Sequence, residues 1–503
     1  MLVFFALLVV LGSLAYYYLT HNYDYWKKRG IVCPEPKLFV GNLPSTYNRK
    51  VHIVDELTEI YKTYKGKESV VGLFRGVCPE LLILDPEIAR NLSTTNFKNF
   101  ANQGNVFGTI DKESDPLAGR NPFFLKGEEW KEKRSEIIPA FSSGRMKALF
   151  PVMEAVADKM KNYIENQMET SEYIETRELC GKYTTDVVCN SIYGVDSGAL
   201  SGQQSELRDI ARNVFSPTWR FYVTAVLGPA LPFITKIFKF RFVPEKYEKF
   251  LTNLLKETIS YRKENNIERQ DFVDYLIHLR EKKGLDDVEV MAHTITFFFD
   301  GVETSSITLS HVFYELAKNK QFQQKLRDMM NEIKKNDGTF EYDAVMHHEY
   351  LEQVIVETLR LHPVIPRLTR ECSEDFDLEL ADGKKLHIEK GTNVGWPMID
   401  FQQDPEYYGP TAKDFDPDRF NEENGGMKQF KDKGVLFPFG DGPRVCLGQR
   451  FAQTQMKCCI AHIVTSFDIS VSEKMPKNPV LNPAEITLTY HGGILLKFKP
   501  IKN

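Results

Sequence analysis

The stretch that decides the reading runs Phe437-Pro438-Phe439-Gly440-Asp441-Gly442-Pro443-Arg444-Val445-Cys446-Leu447-Gly448. Its glycines and prolines exclude regular structure, and the pattern after it predicts a helix over Gln449 to Ser466. A cysteine at such a helix entry sees backbone N–H donors and the positive end of the helix dipole, which favour its thiolate form. Gly440, Gly442 and Gly448 let backbone approach closely, Phe439 shields the sulfur and Arg444 adds a fixed cation. Cys180, Cys189, Cys458 and Cys459 lack such a setting and read as small core hydrophobes.

Those are the requirements of a thiolate serving as axial ligand to haem iron. Phe439, Gly442, Arg444, Cys446 and Gly448 stand at the spacing F-x-x-G-x-R-x-C-x-G, which resembles the haem loop of the cytochrome P450 superfamily. Working outward, Glu357 and Arg360 lie one helical turn apart and resemble the family's E-x-x-R. Arg419, in Pro417-Asp418-Arg419-Phe420, matches the arginine completing that buried triad. The resemblance implies that Trp130 and Arg134, in a W-x-x-x-R on the helix Glu128 to Ile137, bind the haem propionates together with Arg370 and Arg444.

Asp300-Gly301-Val302-Glu303-Thr304-Ser305 resembles the family's oxygen-side [AG]-G-x-[DE]-T-[TS] on a very long helix, Asp287 to Asn319. Gly301 is expected to let that helix widen, freeing the Thr304 hydroxyl from back-bonding, so that Thr304 and Glu303 deliver protons to dioxygen. Asp300 departs from the pattern, which has a small apolar residue there. Four residues before Thr304 it shares the pocket face, where an unpaired carboxylate is costly. It therefore pairs with a cation or water, is protonated, or favours a polar or basic substrate. Phe297, Val364, Ile365 and Leu368, with Phe123, Phe124 and the turn at His491, are the candidate substrate contacts.

The expected fold is mainly α with a small β portion: the cytochrome P450 fold, a single large haem domain behind an N-terminal transmembrane anchor. Further helices are predicted over Met146 to Met168, Tyr247 to Asn265 and Tyr350 to Leu361. Strand pairs are predicted for Ser69 to Phe74 with Leu81 to Leu84, Lys385 to Ile388 with Thr392 to Trp396, and Ile486 to Tyr490 with Ile494 to Phe498. The 503-residue chain carries 42% hydrophobic residues, enough for a large interior, and shows no repeat. Its 64 Lys+Arg against 69 Asp+Glu leave no electrostatic footprint for nucleic acid. Eight cysteines without a CxxC pair fit a reducing compartment.

Residues 1–26 read as a membrane anchor, residues 27–44 as a basic, proline-rich hinge and residues 45–503 as the haem-thiolate monooxygenase domain. Leu2 to Leu19 spans about 27 Å as a helix, near the thickness of a bilayer core. The tyrosines that follow, Trp26 and then Lys27, Lys28 and Arg29 orient the body toward the cytosol. A cleaved signal peptide is the alternative, and glycan at Asn91-Leu92-Ser93 would mark a lumenal body. The apolar stretch 221–242 either dips into the membrane interface or is a buried helix pair.

A narrower likeness, in Asp115-Pro116-Leu117, Gly127-Glu128-Glu129-Trp130 and Pro139 to Lys147, is to insect microsomal members. The resemblance implies haem b, an endoplasmic reticulum membrane, dioxygen and an apolar small-molecule substrate. It also implies electrons from NADPH through NADPH-cytochrome P450 reductase, with cytochrome b5 as a further partner. Lys131, Lys133, Lys431, Lys433, Arg450 and Lys457 are the candidate basic docking face. A haem-thiolate isomerase or dehydratase, or a non-catalytic haem-binding membrane protein, would also keep Cys446.

Overall fold

The structure is a computed structural model and describes residues 1–104, 110, 112–113, 115–214, 227–228, 230–231 and 241–501. The stretch 221–242 lies almost wholly outside the described residues.

The organising element is the helix Asp287–Lys318. Asp286 and Glu289 form a capping box at its start, each side chain accepting from the other's backbone N–H. From Val290 to Ala317 nearly every side chain is buried, so the helix runs through the core rather than over it. Thr176–Tyr193, Glu349–Leu361 and Gln449–Ser466 pack around it. The helices Gly127–Ile137, Ser143–Thr170 and Glu245–Asn265 also form where the periodicity places them, within a few residues.

The β portion is small. A hairpin pairs Val70–Arg75 with Cys78–Ile83 across a two-residue turn containing Gly76 at φ +60°. Asn393–Trp396, Leu368–Glu371 and Asn102–Gln103 complete a five-stranded sheet. Two expected pairings are corrected. Lys385–Ile388 pairs with Phe376–Glu379 rather than with the strand following it. Leu495–Pro500 pairs with Phe467–Val471 and Ile174–Glu175, while Ile486 to Tyr490 forms no strand and makes only the bridge Tyr490 to Leu481. Both expectations take the wrong sequence neighbour: Lys385–Ile388 pairs with the strand before it rather than after it, and Leu495–Pro500 with a strand more than twenty residues away.

The N-terminal helix Leu2–Thr20 buries none of its side chains against the body and is long and apolar enough to cross a membrane. The body begins earlier than expected. Trp26 is 1% exposed and donates from Nε1 to the Leu73 carbonyl at 3.0 Å. Its ring fills the space beside Gly72, where an added Cβ would stand 2.2 Å from the indole. Arg29 lies over the Tyr25 ring and reaches Glu389 at 2.6 Å, and Gly41 bridges to Arg75. The segment 27–44 is therefore a docked strap rather than a hinge. Trp26→Ala is expected to cost about 3–5 kcal/mol, read as a lowered thermal midpoint and faster proteolysis between residues 20 and 44.

Asn91-Leu92-Ser93 sits in the helix Pro86–Ser93, with Leu92 and Ser93 buried and the Ser93 hydroxyl donating to the Ala89 carbonyl. A glycosylation test there loses its meaning, because the acceptor sequence is folded into a helix.

Candidate active site

The cysteine loop is held from both ends. The Cys446 N–H donates to the Phe439 carbonyl at 2.8 Å, closing the loop on itself. Gly440 and Gly442 take φ of +82° and +67°, a region costly for residues with a Cβ. At Gly442 a Cβ would lie 1.8 Å from the Ser93 carbonyl oxygen, so glycine is required there for close approach as well. Arg444 donates from Nε, Nη1 and Nη2 to the carbonyls of Ala101, Pro122 and Leu125. Arg134 donates to the Val445 carbonyl at 2.6 Å. Arg444 thus staples the loop to residues 101–125, a task beyond the propionate role expected of it.

Cys446 is open to solvent-sized space yet lies deep in the molecule, and it faces Asp300 of the long helix. Burial pushes its thiol up to about 11, against the lowering effects of the Gly448 N–H and Arg134.

Three guanidinium groups gather beside the loop. Arg370, in the strand Leu368–Glu371, is 2% exposed, and its Nε has no hydrogen-bond partner among the described residues. It donates from Nη1 to Gln103 and to the Thr369 carbonyl. Burial pushes Arg370 down to about 10, and burial with repulsion from Arg370 and Arg134 pushes Arg444 down to about 9. Trp130, 6% exposed, lies under Arg444, whose Cζ is 4.1 Å from the ring centroid. A sulfur donor flanked by mutually repelling cations, one with an orphaned N–H, fits a metal macrocycle with an anionic edge. Haem meets that description: Cys446 would hold its iron, and Arg134 and Arg370 its propionates.

Behind the loop, Glu357 and Arg360 are both fully buried and joined by two 2.7 Å hydrogen bonds. Arg360 also donates to the carbonyls of Gln402, Ala412 and Asp414. Arg419 reaches Glu357 at 3.4 Å and the carbonyls of Tyr408 and Thr411. The three residues anticipated as a triad meet, and their spare N–H groups pin irregular backbone between residues 402 and 414.

On the opposite wall, the helix stays regular through Gly301. The expected widening is absent, and the Thr304 hydroxyl donates to the Asp300 carbonyl at 2.7 Å. Gly301 serves packing instead: a Cβ there would stand 3.2 Å from Val188, and its carbonyl accepts from Gln455. Glu303 is turned away from Thr304 and bound by Arg208 at 2.7 Å and Arg177 at 3.4 Å. Arg177 continues to Glu485 and Arg208 to Glu178, forming an ion-pair ladder. No local signal exposed these partners, because they lie 126 and 95 residues away in sequence.

Asp300 is exposed on an otherwise buried helix, within electrostatic reach of Cys446, and Asn121 is its hydrogen-bonding neighbour. Phe297 stacks on Phe141 at 4.5 Å and packs against Phe272. Ile365 is 41% exposed, Val364 packs against the helical core and Leu368 against the sheet's core. Phe123 and Phe124 pack edge to face, and the turn at His491 is exposed. Of the basic candidates, Lys133 is buried between Glu136 and Glu289, and Lys457 pairs with Glu352. Lys131 pairs with Glu128, while Lys431, Lys433 and Arg450 remain on the surface.

A helical body with a cysteine loop facing an acid- and threonine-bearing core helix, and cations at its rim, defines a haem-thiolate protein. The chain belongs to the cytochrome P450 family, whose model matches residues 32–498, and it is a haem monooxygenase. It is 33% identical to probable cytochrome P450 28a5 of Drosophila melanogaster, over 99% of this chain and 100% of that protein. Probable cytochrome P450 28d2 of the same fly is 36% identical over 96% of each chain. Cytochrome P450 6A1 of Musca domestica is 32% identical over 98% of this chain and 97% of that protein.

Proposed function

We propose that the chain is a haem b monooxygenase of the endoplasmic reticulum membrane, held by residues 1–20 with its body in the cytosol. It inserts one oxygen atom of dioxygen into largely apolar small molecules, xenobiotics or endogenous lipids and hormones. Electrons come from NADPH through NADPH-cytochrome P450 reductase, with cytochrome b5 as a second donor. Lys431, Lys433 and Arg450 are the surface cations left to meet an acidic partner. The observation that carries this reading is Cys446 on its glycine loop, braced by Arg444 and Arg134, within electrostatic reach of Asp300 on the core helix.

Haem, when bound, would supply oxygen activation, and the Cys446 sulfur that would hold its iron would favour O–O cleavage by electron donation. The chain's residues supply position and protons. Arg360, Arg419 and Arg444 fix the backbone that carries Cys446. The half-buried Thr304 hydroxyl is the proton donor of the pocket wall; it acts by turning from the Asp300 carbonyl toward dioxygen. Glu303 is the reserve acid behind it, and its release from Arg177 or Arg208 precedes each proton it passes.

The test is a reconstituted assay with purified reductase and a panel of apolar substrates. Reductase-dependent NADPH consumption with oxygenated product supports the reading, and Thr304→Ala is expected to lower product per NADPH by about tenfold or more. Unchanged coupling in that variant would remove Thr304 from the proton path. Product formed without NADPH would favour an isomerase or dehydratase.

A further inference from the structure

Three buried glutamates of the body are each matched by two arginines. Glu357 is matched by Arg360 and Arg419, Glu303 by Arg177 and Arg208, and Glu80 by Arg75 and Arg367. Asp300 departs from this pattern. Its neighbour is the neutral amide of Asn121, and the electrostatic partners of Arg134, Arg370 and Arg444 do not include it. Asn121 is fixed in orientation: its Oδ1 accepts the Phe123 N–H at 2.7 Å, which leaves its Nδ2 to donate to Asp300. One neutral donor serves a carboxylate with about four lone-pair sites. The carboxylate is exposed on an otherwise buried helix and lies within electrostatic reach of Cys446.

Burial pushes the Asp300 carboxyl up to about 7, the sign of a charge lacking compensation. An incoming cation would give it the pairing that Glu357 and Glu303 have. A neutral apolar molecule would bury the acid further and leave its oxygens unpaired.

We propose that Asp300 is the specificity-determining residue for a cationic nitrogen, so that preferred substrates carry an ammonium group on an otherwise apolar body. This rests on the monooxygenase reading of the same pocket and names its substrate class. Asn121 is the positioning residue that holds the carboxylate toward the ligand.

The test uses the full-length, haem-loaded protein and a matched pair of probes, phenylbutyl trimethylammonium and its neutral tert-butyl isostere. The quaternary centre neither ligates iron nor loses a proton. Dissociation constants come from equilibrium dialysis, corrected for detergent partition. Wild type is expected to prefer the cation, and the cation-to-isostere preference is expected to fall at least tenfold in Asp300→Asn and to return in Asp300→Glu. The same preference in wild type and Asp300→Asn, or no preference in wild type, would overturn the proposal; the wild-type comparison stands even if the variant folds poorly. A wild-type protein without a thiolate-type reduced carbon monoxide spectrum would instead sink the monooxygenase reading beneath it.

Discussion

Cys446→Ala is expected to yield a protein whose reduced, carbon-monoxide-treated form lacks thiolate-type absorbance and whose NADPH-dependent oxygenation falls to background. The Cys446 N–H to Phe439 hydrogen bond is backbone and survives the change, as do the Arg444 contacts to residues 101–125. The variant therefore keeps its fold, measured by circular dichroism, while losing the one sulfur that faces the core helix. Retention of the thiolate-type spectrum would show that the ligand lies elsewhere. Cys180, Cys189, Cys372, Cys458 and Cys459 are buried, and Cys33 and Cys78 lie at the N-terminal strap and the Val70–Ile83 hairpin, away from the core helix in sequence and fold.

The second large effect is on folding. Glu357→Ala or Arg360→Ala removes one member of a pair with no solvent exposure. Breaking such a pair costs about 3–5 kcal/mol, because the survivor is left as an uncompensated buried charge. Arg360→Ala is the worse of the two, since the carbonyls of Gln402, Ala412 and Asp414 lose their donor as well. Arg360→Lys retains charge without the two-pronged geometry and is expected to rescue only part of the loss. Denaturant midpoints and the yield of haem-loaded protein are the measurements. A variant of wild-type stability would show that the cluster is dispensable.

What was legible in the sequence was chemistry at fixed local spacing. The helix Gln449–Ser466 has the bounds its pattern gives, the core helix ends one residue early, and Glu357 meets Arg360 because a helical turn brings them together. What was not legible depends on distant partners. Strand pairing at Lys385–Ile388 and Leu495–Pro500 is chosen by faces more than local order. Lys133 and Lys457 read as surface charge, because spacing does not report the glutamates that bury them. Thr304 was expected free because glycine precedes it by three residues, yet Gly301 is used for close contact with Val188, leaving the ladder of helix hydrogen bonds intact. Asp300 stood out in the sequence; its lone neutral neighbour, Asn121, did not.

The staple formed by Arg444 also sets a clock. It joins carbonyls at Ala101, Pro122 and Leu125 to a guanidinium up to 343 residues later. At synthesis rates of about 5–20 residues per second, the first of these waits on the order of 17–70 s for its partner to leave the ribosome. The cysteine loop closes late in the birth of the chain, long after the Val70–Ile83 hairpin has left the ribosome.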